Sequence, residues 1–247
     1  MRISAIAKQL RRICGPEAVL DRPEDLLLYE YDGGLARSRP NVVVFPQTTE
    51  QVAAIVRLAN DAKVPIVPRG AGTGLSGGAI PQKGGIVIAF GRMNRILEID
   101  IPNQRAVVQP GVVNLELSKA TAPLGFYFVP DPSSQKACTI GGNVAENSGG
   151  PHTLAYGVTV NHVTGLEVVT PDGRIVQLGG KAPDPCGYDL TGFFVGSEGT
   201  LGITTKITVK LTRLPEAVAT LLAIYNTIDD AANTVVAITS EGITPAP

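Results

Sequence analysis

Five glycines fall among the eleven residues from Arg69 to Ala79, directly after the short apolar run Val64 to Val67, which reads as a buried strand. No other stretch limits the fold so tightly. Glycine lets the backbone take positive φ and approach a ligand closely. Successive N–H groups turned inward form a concave anion site suited to phosphate or pyrophosphate. Read alone, the run is equally a surface turn, so the residues after it decide. Gly72-Thr73-Gly74-Leu75-Ser76-Gly77 fits the G-x-G-x-x-G string of a dinucleotide-binding turn, which requires a helix to open within it. Gly78, Pro81, Gly84 and Gly85 follow, and they exclude a helix there. No Gly-Lys-Ser/Thr ends the run, so a triphosphate-binding loop is excluded too. What remains is strand, anion-cradling loop, strand (Ile86 to Phe90). Arg69 is the one cation inside the loop, and backbone N–H groups meet most of the negative charge.

The flanking pattern places this loop on an α/β scaffold. Asn41 to Pro46 is a compact strand, Thr48-Thr49-Glu50 signals a helix start, and Val52, Ile55, Val56 and Ala59 give that helix its apolar face. Strand, helix, strand implies a parallel crossover, with the loop at the carboxyl end of a strand, where open α/β sheets bind ligands. Ile86 to Phe90, Arg95 to Asp100 and Arg105 to Gln109 are short strands linked by turns, which suggests hairpin-like antiparallel pairing. Asn114 is expected to cap a helix from Leu115 to about Ala122. Strands return at Val163 to Thr170, Ile175 to Leu178 and Thr204 to Leu211. Past Pro215, Val218 to Tyr225 reads as a strand and Ile228 to Thr239 as a helix capped by Asp229 or Asp230.

This organisation predicts an N-terminal helical segment over 1–40 and a two-part α/β (α+β) domain over 41–215. Its βαβ subdomain covers about 41–104, and a mixed, mainly antiparallel one covers 111–215. Residues 216–247 open a further domain that the chain stops short of completing. Glycine-rich blocks after Pro130 and around Gly196 to Ile203 would bring three loops to one cleft between the subdomains.

Composition narrows the function. Apolar content of 44% with 17% charged residues over 247 positions describes an ordered chain with material for a core. A net charge of −1 argues against a nucleic-acid surface. Three dispersed cysteines, Cys14, Cys138 and Cys186, form no framework and fit a reducing compartment, each as a small buried hydrophobe. His152 and His162 lack ligand-like partners, so no metal site is expected. His152 has no evident orienting partner and His162 reads as structural. No apolar run approaches the roughly 18 residues that span a bilayer. Ile3, Ile6, Leu10 and Ile13 recur at helical spacing beside Lys8, Arg11 and Arg12, an amphipathic opening helix. The cytoplasm is the expected location, with any membrane association through a partner.

Three blocks together are specific. Pro68 to Gly78, then Thr139-Ile140-Gly141-Gly142-Asn143 with Asn147 and Gly149-Gly150, then Gly196-Ser197-Glu198-Gly199-Thr200-Leu201-Gly202-Ile203 resemble the FAD-binding domain of the vanillyl-alcohol-oxidase/PCMH-type flavoprotein family. The resemblance runs from about Pro16 to the end and is strongest to the branch of glycolate oxidase D subunits and D-lactate dehydrogenases. It implies that Arg69, Gly70, Ala71, Gly72, Thr73 and Gly74, with Ser76, wrap the FAD pyrophosphate. Asp131, Ser134, Thr139, Gly141, Gly142, Asn147 and Gly150 would line the ribityl and flavin side. Glu198, Gly199 and Ile203 would meet the adenosine half. For Asn147 a helix-end cap is an equal reading.

Covalent members carry a histidine about where Thr73 stands, so the resemblance implies non-covalent FAD. Substrate-binding and proton-abstracting groups belong to a following cap domain in the family, which leaves the catalytic residues of this chain unassigned. The chain alone is then expected to reduce its flavin negligibly with glycolate or D-lactate. The implied activity is FAD-linked oxidation of a small 2-hydroxyacid, with an iron–sulfur or second flavin-binding subunit as partner. The other reading is a stand-alone flavin module without turnover of its own. An NAD(P) or sugar-nucleotide enzyme is weaker, because the helix after Gly77 is missing.

Overall fold

A computed structural model describes residues 3–182 and 187–245; Cys186 lies outside them. Helix α1 (Ile3–Cys14) buries Ile6, Ala7 and Leu10, the face its spacing predicts. A short strand β1 (Val19–Leu20) and helix α2 (Pro23–Leu26) follow, then strand β2 (Val42–Val44), helix α3 (Thr49–Ala62), and strands β3 (Ile66–Arg69) and β4 (Ile86–Ala89). Thr48 caps α3 by accepting from the Gln51 N–H, and Lys63 closes it in the left-handed region. The sheet order is β1-β2-β4-β3. β4 pairs parallel with both β2 and β3. The helix crossover is therefore present, but β4 lies between the two strands it joins, and β4 makes no hairpin with the strand after it. Continuous burial of Val42–Val44 and Ile86–Ala89 is what a sheet covered on both faces requires. α1 and α3 cover one face, and Leu26, Tyr29 and Phe45 cover the other.

The second sheet takes strands β5 (Ile96–Asp100) and β6 (Arg105–Val108) first. After helix α4 (Asn114–Thr121), strand β7 (Phe126–Tyr127), and helices α5 (Ile140–Glu146) and α6 (Thr153–Tyr156) come strands β8 (Val163–Val169) and β9 (Ile175–Gly179). Helix α7 (Leu190–Phe194), strand β10 (Ile203–Lys210) and strand β11 (Thr212–Arg213) follow. The order is β5-β6-β10-β8-β9, antiparallel throughout, with a separate β7–β11 ladder. β5 thus belongs to the second sheet, so the sheets divide between Ala89 and Ile96, upstream of the boundary expected near Gln104 to Gly111. Hydrophobic pattern could not separate these strands, because each is short and half apolar.

Three local expectations are corrected. Val113 precedes α4 without a side-chain cap; Asn114 instead turns inward and donates to Pro130 O at 2.8 Å and Asn143 Oδ1 at 2.9 Å. Residues 218–225 form no strand, and Leu221, Leu222 and Ile224 stand exposed. Helix α8 (Ile228–Ser240) is capped by Thr227, whose hydroxyl accepts from the Asp230 N–H, rather than by an aspartate.

One polar cluster joins the two sheets. Glu167 on β8 accepts from Thr49 Oγ1 at 2.6 Å, from Thr205 Oγ1 at 3.0 Å and from Lys206 Nζ at 2.8 Å. Burial pushes its carboxyl upward, but the bonds from Lys206, Thr49 and Thr205 outweigh it and hold the group below its ordinary 4.5. A depressed carboxyl stabilises the fold above its unfolded value and loses that contribution as pH falls through the lower folded value. Glu167→Gln is expected to cost about 1–2 kcal/mol at pH 7. Urea unfolding should show the gap from wild type closing well below pH 4.5; a gap that persists in acid would assign the loss to packing.

Candidate functional site

Residues 70–79 leave the carboxyl end of β3 and form one wall of a cavity of about 580 Å³. From Ala71 to Ala79, no backbone N–H donates to an acceptor among the described residues, whereas the carbonyls of Gly74, Gly77 and Ala79 all accept. The loop has turned three of its acceptors to partners elsewhere and left its donors without one, which suits an anion-binding nest. Gly72 makes this possible: its φ of +71° lies in the left-handed region, and a Cβ there would overlap the Arg69 guanidinium. Arg69 is 6% exposed and lies 5.7 Å from the Tyr29 ring centroid. Burial lowers its pKa, opposed by the charge of Asp32 and by Tyr29 and Tyr31.

The second wall is the turn at residues 132–134 with α5. Thr139 caps α5 by accepting from the Gly142 N–H, the Gly141 N–H donates to Pro110 O, and the Ile140 N–H donates to Val112 O. The first turn of this helix therefore has no donor to spare, and anion binding falls to the loop. Gly70 and Gly141 are close-packing positions, because a Cβ would strike Thr139 Oγ1 and Pro110 respectively. At the far end of α5 all three loops are tied together. The N–H groups of Gly196 and Glu198 donate to Val144 O and Ala145 O at 2.8 and 2.9 Å, and Ser76 Oγ donates to Glu146 Oε2 at 2.7 Å. Glu146 and Glu198 both reach the loop at Gly78, where a Cβ would lie 3.0 and 3.2 Å from their carboxylates. That end of the cavity suits hydroxyl donors. An adjoining space of about 510 Å³ shares Pro68, Gly78, Glu198, Gly199, Gly202 and Ile203 with it and adds Val56, Ile66, Val67, Val169 and Pro171, an apolar slot for a flat ring.

Arg69, Gly70, Ala71, Gly72, Thr73, Gly74, Ser76, Ser134, Thr139, Gly141, Gly142, Glu198, Gly199 and Ile203 line the cavity. Asp131, Asn147 and Gly150 do not. Asn147 is the left-handed cap of α5 (φ 50°), and its Oδ1 accepts from the Val160 N–H at 2.9 Å, so the helix-end reading describes it. Gly150 packs on Asp131, leaving no room for a Cβ. Asp131 Oδ2 lies 2.5 Å from His152 Nδ1, which supplies the orienting partner that sequence did not reveal. A separation of 21 residues leaves no local signal for that pair. Both members do flank cavity walls, at Pro132 and at Gly149. His162 is buried, with Nε2 2.9 Å from Tyr156 O, a structural position. Sequence reasoning also missed Phe90, Ser133, Cys138, Asn143, Glu146 and Ser197 as wall residues. Glu146 was findable, since it lies inside the second block.

A cleft between a parallel and an antiparallel sheet, with an anion nest, an acidic end and an apolar slot, defines a dinucleotide-holding domain. The sequence profile of the FAD binding domain family matches residues 40–179, more than half of the chain, and the chain belongs to that family. It is 49% identical over 243 residues to the glycolate oxidase subunit GlcD of Bacillus subtilis, covering 98% of this chain and 52% of that protein. It is 42% identical over 200 residues to a D-lactate dehydrogenase of Anaerostipes hadrus, covering 81% and 42%. The chain spans about half the length of the curated relatives it matches. Among solved structures, alkyldihydroxyacetonephosphate synthase superposes with a TM-score of 0.84 at 25% identity over 98% of this chain and 46% of that one. p-Cresol methylhydroxylase with substrate bound gives 0.75 at 25% over 87% and 44%. The fold is the PCMH-type FAD-binding fold, and FAD is the cofactor.

Gly70 and Gly74 should separate packing from ligand approach. A Cβ at Gly74 meets only the Glu146 carboxylate, Oε1 at 3.5 Å and Cδ at 3.9 Å, ordinary contacts. Gly70→Ala is therefore expected to lower the thermal midpoint of the flavin-free chain by several degrees. Gly74→Val should leave that midpoint nearly unchanged and reduce flavin occupancy at least tenfold. Equal midpoints in the two variants would remove the packing role assigned to Gly70.

Proposed function

We propose that this chain is the flavin-holding part of an FAD-linked oxidoreductase acting on a small 2-hydroxyacid of the glycolate or D-lactate type. The observation that carries it is the run of backbone N–H groups from Ala71 to Ala79 with no acceptor among the described residues, in a loop that lines a cavity built from all three sequence blocks. Names of relatives with 49% and 42% identity support the substrate class. Bound FAD would accept the hydride equivalent from the hydroxyacid carbon. This chain's part is to bind and orient. Residues 71–75 hold the pyrophosphate through their N–H groups, with Arg69 beneath them. Glu198 takes adenosine hydroxyls, with Gly199 and Ile203 beside the apolar slot. Ser134, Thr139, Gly141 and Gly142 form the wall for the ribityl chain and ring.

Thr73 offers no side chain for covalent attachment, so the flavin is held non-covalently. Residues 216–245, with their exposed apolar side chains, begin the unit that covers the flavin and supplies the substrate-binding groups. No helix among the described residues is long and apolar enough to cross a membrane. A cytoplasmic location fits, with an iron–sulfur or second flavin subunit to take electrons onward.

Purified protein should be yellow, and acid precipitation should release all of the flavin into the supernatant. Colour retained in the denatured pellet would overturn non-covalent binding. A colourless chain that fails to take up added FAD would overturn the cofactor role. In the protein carrying its downstream half, anaerobic D-lactate or glycolate should bleach the flavin band saturably. Flavin that stays oxidised with every 2-hydroxyacid would favour the stand-alone module instead.

A further inference from the structure

Residues 29–38 lie upstream of the family match at 40–179, yet they pack directly against the anion-binding loop. The Gly33 N–H donates to Gly74 O at 2.9 Å, and Ser38 Oγ donates to Pro81 O at 2.8 Å, so the segment is pinned beside the loop and at its exit. The fit is close: a Cβ on Gly33 would lie 2.9 Å from Gly74 O and 3.0 Å from Thr73 O. The segment folds back on itself through the Tyr31–Arg37 bridge and the Ser38 N–H bond to Glu30 O.

Within this packing sit two buried charges of opposite sign. Arg69 is 6% exposed and Asp32 is 7% exposed. The guanidinium lies under Gly72, and its one hydrogen bond among the described residues is a long one, 3.5 Å to Ala79 O. Asp32 Oδ1 accepts from the Gly34 N–H at 2.7 Å, while Oδ2 is buried with no partner among the described residues. The two side chains are not in ion-pair contact: Arg69 lies against Gly72, while Asp32 Oδ1 sits beside Gly34 in the turn whose Gly33 packs on Thr73 O and Gly74 O. A buried charge without a counter-charge is costly, and the charge of Asp32 acts favourably on the Arg69 guanidinium.

We infer that Asp32 is the internal counter-ion of Arg69, setting the anion affinity of the loop from outside the matched domain. With Asp32 ionised, the floor under the loop is close to neutral, and binding rests on the backbone N–H groups. Without that charge, Arg69 is uncompensated until a phosphate anion occupies the loop. Asp32 is a positioning residue in this scheme and touches no ligand.

Asp32→Asn isolates the charge, because the amide oxygen can still accept from the Gly34 N–H. The scheme builds on the dinucleotide reading of the cleft, and the probe is ADP titrated calorimetrically into the flavin-free chain. Relative to wild type, Asp32→Asn is expected to bind ADP on the order of tenfold more tightly at low salt. The advantage should shrink toward parity at 0.5 M salt, and the free variant should melt lower but gain more from ADP. In an Arg69→Met background the same substitution should leave ADP affinity unchanged, which a merely structural role of Asp32 would not produce. Unchanged or weaker ADP binding by a folded Asp32→Asn chain would overturn the inference. If that variant fails to fold, Arg69→Met decides: it should fold and bind ADP more weakly, and unaltered ADP affinity would overturn the inference. Wild type that binds neither ADP nor FAD would instead overturn the dinucleotide reading.

Discussion

A run of backbone N–H groups with no acceptor is an unstable thing to build, since a chain left to itself folds such donors onto its own carbonyls. Everything around residues 71–79 opposes that collapse. Three of the loop's carbonyls, those of Gly74, Gly77 and Ala79, are taken by the N–H groups of Gly33 and Ile80 and by Arg69. Thr139 fills the space that a side chain at position 70 would occupy, and the end of α5 gathers the third loop by two backbone bonds and the first through Ser76. The site is best described as a loop held open by its surroundings, with cofactor recognition as the result.

The same view explains the position of Glu167. The anion loop belongs to the parallel sheet and α5 to the antiparallel half, so their separation depends on how the halves are joined. Thr49 at the start of α3 meets Glu167 on β8 across that junction, and Val169 and Ile203 extend the first core into the ends of β8 and β10. The polar bonds fix direction, and the apolar contacts supply most of the free energy.

Local chemistry was legible in the sequence; pairing across long separations was not. Thr48 as a cap, α1 with Ile6 and Leu10 inward, and the loop at the end of a parallel strand all follow from spacing and residue type. The placement of β4 between β2 and β3, and of β5 in the second sheet, depends on partners that apolar runs of four or five residues do not identify. Asn114 shows a different limit. A polar residue before a helix satisfies the capping rule, but the nearby Pro130 carbonyl and Asn143 offered it buried partners instead. For the site, the glycine-rich blocks located the walls, while the Asp131–His152 pair and Asp32 came together only through folding.

The join between β3 and β4 carries one more consequence. Adjacent parallel strands need a long crossover, and a helix usually provides it while covering the sheet. Here residues 70–85 make the crossover without a helix, so a layer of ordinary α/β architecture is absent beside the cavity. Flavin bound there adds to the stability of a fold that already stands without it, by mass action, so the protein's stability tracks the flavin concentration around it.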